Sequence, residues 1–143
     1  MANVVYKELG FPVLLVDVPL VEVRGVQVPD VNLKVLQDAV FTLLVTKPSR
    51  LSGAEVRFIR KHLRLRQVDL AQVLNMANHS VVSQWESRED AVAGMDYNTE
   101  VLLRLWMAAK SGRADELVEL LESKLKNLEL DGGVLEVPTP RAA

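Results

Sequence analysis

The chain has 143 residues, 49% of them hydrophobic and 25% charged, with no cysteine and a formal net charge of −2. That balance suits one compact domain or two small cooperating ones with a buried core, and it excludes a chain disordered throughout. The missing cysteines exclude disulfides, thiolate metal sites and thiol nucleophiles, and no apolar run approaches the roughly 18 residues that cross a bilayer.

In chain order, the apolar stretch Phe11–Val16 follows Lys7 and Glu8 and is soon interrupted by Asp17, which is not the shape of a signal peptide. A cytoplasmic location is expected. Residues 11–28 read as extended structure: β-branched residues dominate, Pro19 interrupts, and Arg24-Gly25 is a turn before Val26-Gln27-Val28. A small antiparallel sheet is the expected product. Val31, Val35, Leu36, Ala39, Val40, Leu43 and Leu44 then recur at helical spacing until Lys47-Pro48 stops the helix.

The second half is helical almost throughout. Ser52 followed by Glu55 predicts a capping box and a helix to about Leu63. Two short helices follow, Gln67–Leu74 and Ser80–Glu86. A fourth is expected over Thr99–Lys110, with Leu102, Leu105, Trp106 and Ala109 facing inward, broken by Ser111-Gly112. Asp115–Leu128 is expected as an amphipathic helix striped by Leu117, Leu120, Leu121 and Leu125, and the tail from Asp131, with its Gly-Gly pair, Pro138 and Pro140, as a mobile end. The fold class is therefore α+β and mostly α. The expected organisation is a strand-and-helix region over 1–48, a helical domain over 49–112, and a C-terminal helix and tail over 113–143.

Charge is unevenly spread. Residues 47–88 carry eight Lys/Arg against three acids, a net of +5, whereas residues 89–143 carry six against eleven and residues 1–46 three against five. A polyanion responds to the local patch, so the middle of the chain is where one would bind. Within it, Leu70, Ala71 and Leu74 make one apolar face, and Val82 and Trp85 anchor the next short helix. The other face of that helix shows Ser80, Ser83, Gln84 and Ser87, with Arg88 beyond. A short, polar, hydrogen-bonding helix face suits a major groove about 12 Å wide.

Arg66-Gln-Val-Asp-Leu-Ala-Gln-Val-Leu74 followed by Val82-Ser-Gln-Trp-Glu86 resembles the helix-turn-helix of lambda-repressor/Cro-like (XRE-type) regulators. With Arg50–Lys61 upstream, the chain is closest in appearance to MqsA/HigA-type antitoxins, although it lacks their zinc-binding cysteines. Asn75 stands where the motif usually has glycine, and asparagine tolerates the left-handed conformation that position needs. The resemblance implies a five-helix lambda-repressor-like bundle over the second half. It also implies a repressor of its own operon, double-stranded operator DNA (a palindrome) as partner, a homodimer, and a possible cognate toxin protein. Carried over position by position, Ser80, Ser83, Gln84, Asn78 and His79 would read bases. Gln67, Arg57, Lys61, Arg64, Arg66, Ser87 and Arg88 would contact phosphate. The dimer could be built from the N-terminal strands, the 31–46 helix or the C-terminal helix.

No enzyme is expected, since the chain offers no phosphate-cradling glycine loop, nucleophile-elbow serine, HExxH or nominated carboxylate pair. No cofactor is expected. His62 and His79 stand without cysteine or acidic company at ligand spacing, so no metal site is expected either. The contrasting class is a protein-binding antitoxin or adaptor whose helix-turn-helix is vestigial.

Overall fold

The computed structural model describes residues 2–126, 128–129 and 134–138. The element order is β1 (Ala2–Tyr6), β2 (Val13–Val18), β3 (Leu20–Val23), β4 (Val26–Pro29), α1 (Leu33–Val45), α2 (Gly53–His62), α3 (Gln67–Val73), α4 (Ser80–Glu86) and α5 (Tyr97–Lys110). A 3-10 turn (Ala114–Glu116), the single turn α6 (Leu117–Glu119), a π-helical turn (Leu120–Lys124) and β5 (Leu135–Pro138) complete it. The class is α+β, as expected. No helix among the described residues is long and apolar enough to cross a membrane.

The strands depart from the expected single antiparallel sheet. β1 and β2 pair antiparallel, with Tyr6 opposite Val13, but β5 joins β2 in parallel, with Val13 opposite Leu135 and Val16 opposite Pro138. β3 and β4 form a separate two-stranded hairpin. Its turn falls at Arg24-Gly25 as expected, both residues having positive φ (51° and 80°), the conformation that matches strand twist in a two-residue hairpin.

β5 places residues 135–138 of the tail in a strand, while its end, expected to be mobile, lies outside the described residues. Leu135 and Val137 alternate with exposed Glu136, and the two apolar side chains are buried with Val13 and Leu15 of β2. Four residues are too short a signal beside Gly-Gly and Pro to register as a strand. The Gly-Gly pair and Pro140 themselves lie outside the described residues. The expected helix from Asp115 is replaced by the irregular turns over 114–124. Leu120 and Leu125 are buried, whereas Leu121 is exposed, because the π-helical turn rotates it off the stripe.

The helices start where their caps dictate. Asn32 accepts from the Val35 N–H at the start of α1, and the Ser52/Glu55 box forms in both directions at α2. Asp96 accepts from the Thr99 N–H at α5 and is held below the usual carboxylate range by that bond. α5 ends in a Schellman motif: the Arg113 N–H reaches the Ala108 carbonyl and the Gly112 N–H the Ala109 carbonyl, with Gly112 at φ 80°.

α5 presents a different face from the one expected. Its buried residues include Glu100, Val101, Leu103, Arg104, Met107 and Ala108, while Leu102 is 47% exposed. Apolar spacing rotated the helix because it treated Glu100 and Arg104 as solvent-facing. Both are fully buried. Arg104 spends all five N–H donors: on the Glu100 carboxylate (2.7 and 3.1 Å), and on the carbonyls of Val45 (3.3 Å), Lys47 (2.6 Å) and Ser49 (2.5 Å). Arg50 donates to the other Glu100 oxygen at 2.8 Å and to the Met95 carbonyl, and Lys47 pairs with buried Glu55 at 2.7 Å. Burial pulls the Arg104 pKa down and Glu100 opposes that pull. Replacing Arg104 with Met should cost about 3–5 kcal/mol in urea unfolding, because the buried Glu100 carboxylate keeps only Arg50 as a counter-charge and three carbonyls lose their donor. Adding Glu100→Gln should not restore that stability, since the carbonyls of Val45, Lys47 and Ser49 still lack donors.

Candidate nucleic-acid interface

α3 and α4 are a helix pair with the expected boundaries and anchors. Leu70, Ala71 and Leu74 of the first and Val82 and Trp85 of the second are all buried. Arg66 stands just before α3, and its backbone N–H and guanidinium both donate to the Asp69 carboxylate at 2.9–3.0 Å. The Arg66 side-chain bond holds Asp69 below the usual carboxylate range. α3 ends in a second Schellman motif, in which the Met76 N–H meets the Ala71 carbonyl at 2.8 Å and Asn75 takes φ 57°. Asparagine does adopt the left-handed conformation expected of it. Asn78 then closes a local turn just before α4, its Oδ1 accepting from the Ser80 N–H at 2.9 Å.

What fixes the pair against α2 is a buried carboxylate. Glu86, 2% exposed, accepts from Arg60 Nε (2.6 Å), Arg60 Nη2 (3.0 Å) and Gln67 Nε2 (3.3 Å). Arg60 also donates to the Leu65 carbonyl. One glutamate therefore ties together α2, the first residue of α3 and the last of α4. Gly53 allows the close crossing this needs: a Cβ there would lie 2.3 Å from the Trp85 carbonyl oxygen and 2.9 Å from the Glu89 nitrogen. Neither Arg60 nor Gly53 was singled out from sequence. The available signal was Glu86, which shares the inner face with Val82 and Trp85 at helical spacing.

The residues expected to touch DNA fall into three groups. Ser83, Gln84, Ser87, Asn78, His79 and Arg88 are exposed, and Ser80 is half-buried. The side chains of Ser83, Gln84, His79 and Arg88 make no hydrogen bond or ion pair among the described residues, whereas Ser87 Oγ donates to the Gln84 carbonyl. A second group is committed elsewhere: Gln67 turns to Glu86, Arg66 pairs with Asp69, and Arg57 donates to the Glu86 carbonyl (3.1 Å) and the Glu89 carboxylate (3.3 and 3.4 Å). The Glu89 bond raises the Arg57 pKa. Lys61 and Arg64 form the third group and line a cleft beside α2, together with Arg57. His62 is stacked between Phe41 and Phe58 at ring distances of 4.5 and 5.8 Å, with Asp38 at 3.4 Å.

Searches against family models, curated proteins and solved structures return no match. Glu86→Ala should destabilise the chain by about 3 kcal/mol in thermal or urea unfolding, leaving Arg60 without its counter-charge. Gly53→Ala should cost about 1–3 kcal/mol, because the new methyl meets backbone rather than a flexible side chain.

Proposed function

We propose that the protein is a sequence-specific DNA-binding regulator of the lambda-repressor/Cro type, with α3 as scaffold helix and α4 as reading helix. The observation that carries this reading is the outer face of α4. It offers only short polar side chains, and Ser83 and Gln84 are exposed and unengaged, while the inner face is pinned by Val82, Trp85 and Glu86. A surface helix with spare donors and acceptors, held rigidly by a buried carboxylate, is what direct readout requires. On this reading α2–α5 and the turns after them correspond to the five-helix bundle of the resemblance. Gln84 pairs with a base edge, with Ser80, Ser83, Asn78 and His79 beside it. Arg88, Ser87, Arg64 and the backbone at the start of α3 face phosphate, with Arg66 held by Asp69 and the Gln67 side chain by Glu86. Arg57 and Lys61 stand further back, one paired and one in the cleft.

The proposal includes a homodimer reading a palindrome, and the β3–β4 hairpin is its contact. The register puts Val21 opposite Val28 and Val23 opposite Val26 on one face, and Val21, Val23 and Val26 are 42–61% exposed. A two-stranded hairpin is marginal alone in water, so a second copy's valine face is a favourable cover. Three exposed valines fall far short of the roughly 800 Å² per partner of a standard interface, so the dimer is weak without DNA to hold both halves. The same valine face also favours the second reading, a protein-binding antitoxin whose partner is a toxin and whose helix pair is vestigial.

The deciding measurement is fluorescence anisotropy on DNA from upstream of the gene against scrambled DNA, at about 50 and 200 mM salt. Preferential, salt-sensitive binding is expected. Gln84→Ala should lose about 1–3 kcal/mol of discrimination at one base pair, and Arg88→Ala should weaken all sequences alike and flatten the salt slope by about 1. Light scattering should show a concentration-dependent dimer that Val23→Asp and Val26→Asp abolish. Absence of any preference or salt dependence would move the assignment to the protein-partner reading.

A further inference from the structure

We infer that the cleft between α1, α2 and the β1–β2 loop binds a small polyanion, a ligand carrying two or more phosphate or carboxylate groups. The cleft has a volume of about 860 Å³, within the range of small-molecule sites. Its two walls are helix faces at proper spacing: Lys34 and Asp38 on α1, and Arg57, Phe58, Lys61 and His62 on α2, with Arg64 at the end of α2. Four cations line it against two acids, Glu8 and Asp38, and Asp38 already faces His62 at 3.4 Å. Lys34, Lys61 and Arg64 have no ion pair among the described residues. Positive charges thus stand on both walls of a concavity in a chain whose net charge is −2. An anion seated between the walls relieves their mutual repulsion and gains charge-assisted hydrogen bonds from several donors at once.

The shape separates this site from a duplex contact. Groove reading needs a protruding element such as α4, whereas an open cleft between two helices and a loop admits a compact ligand. Part of the α2 wall is preformed, because His62 is clamped in the ring stack with Phe41 and Phe58. Two phosphates or carboxylates match the number of free cations better than one.

Arg57 links this site to the helix pair. It lines the cleft, yet its donors go to Glu89 and to the Glu86 carbonyl at the end of α4. A ligand anion competes with exposed Glu89 for that guanidinium and so shifts the C-terminal end of α4. The effect on DNA affinity rests on the reading of α4 proposed above; the binding itself does not.

Calorimetry and amide NMR spectra of the full chain, with pyrophosphate and with citrate at matched ionic strength, test the site. The expected result is saturable binding with shifts at residues 8–10, 34–38 and 54–64, and at Glu89. Affinity should fall about tenfold or more in Lys34→Gln/Lys61→Gln, with unfolding unchanged. Preference for pyrophosphate assigns a phosphorylated ligand, and preference for citrate a polycarboxylate. No saturable binding of either probe, shifts spread over all surface lysines, or undiminished affinity in the double variant would overturn the site. If the ligand binds but the Glu89 amide is unmoved, the link through Arg57 is wrong. Because these readouts use no DNA, their outcome is independent of whether the chain binds a duplex.

Discussion

The segment from Thr46 to Ser52 alternates buried Lys47, Ser49 and Leu51 with more exposed neighbours, and a buried backbone without hydrogen bonds is not tolerated. Glu129 and Ala93 satisfy part of it, through Arg50 N–H, Pro48 C=O and Leu51 C=O. Arg104 satisfies the rest from α5: its guanidinium takes the carbonyl of Val45 at the end of α1 and those of Lys47 and Ser49 in the segment, and Glu100 balances the charge. The linker joins the strand region to the helix pair, so a helix-borne cation sets where the two halves meet. Lys47 and Arg50, pairing with Glu55 and Glu100, extend the same solution to the linker's own side chains, and the N–H of Leu51 closes it on Glu100.

A comparable economy operates between α2 and α4, where Glu86 collects Arg60 and Gln67. Many of the charges in the basic middle of the chain are thus internal currency between elements, and the local excess of cations overstates what is available to an external polyanion. Arg57, Arg60, Arg66, Arg50 and Lys47 are all committed, while Arg88, Lys61 and Arg64 are not. Electrostatic attraction at long range still reflects the summed charge, but close contacts fall to the few that remain unpaired.

Elements defined by local chemistry were legible in the sequence. The capping box at Ser52, the helix pair with Leu70, Ala71, Val82 and Trp85 inward, the left-handed Asn75 and the Arg24-Gly25 turn are each set by neighbours within a few residues. Elements defined by distant partners were not. The inward face of α5 depends on carbonyls more than fifty residues away, so hydropathy alone rotates it wrongly. β5 is four residues long, and only β2 makes it a strand. Of the site, the exposed face of α4 was legible, because burial of its apolar positions determines it by exclusion. The diversion of Arg57, Arg66 and Gln67 into internal bonds was not, since nothing in spacing distinguishes a cation bound for solvent from one bound for a carboxylate on another helix.

The parallel pairing of β2 with β5 has a consequence for the order of assembly. Residues 13–16 leave the ribosome more than a hundred residues before 135–138, so one flank of β2 is an open edge through most of synthesis. Such edges invite pairing with other chains. The helical half, rich in local contacts, is free to condense early, whereas the sheet is sealed only once residues 135–138 have emerged. A pause or a truncation just before residue 135 would therefore leave the β5-facing edge of β2 uncovered while the rest of the fold is in place.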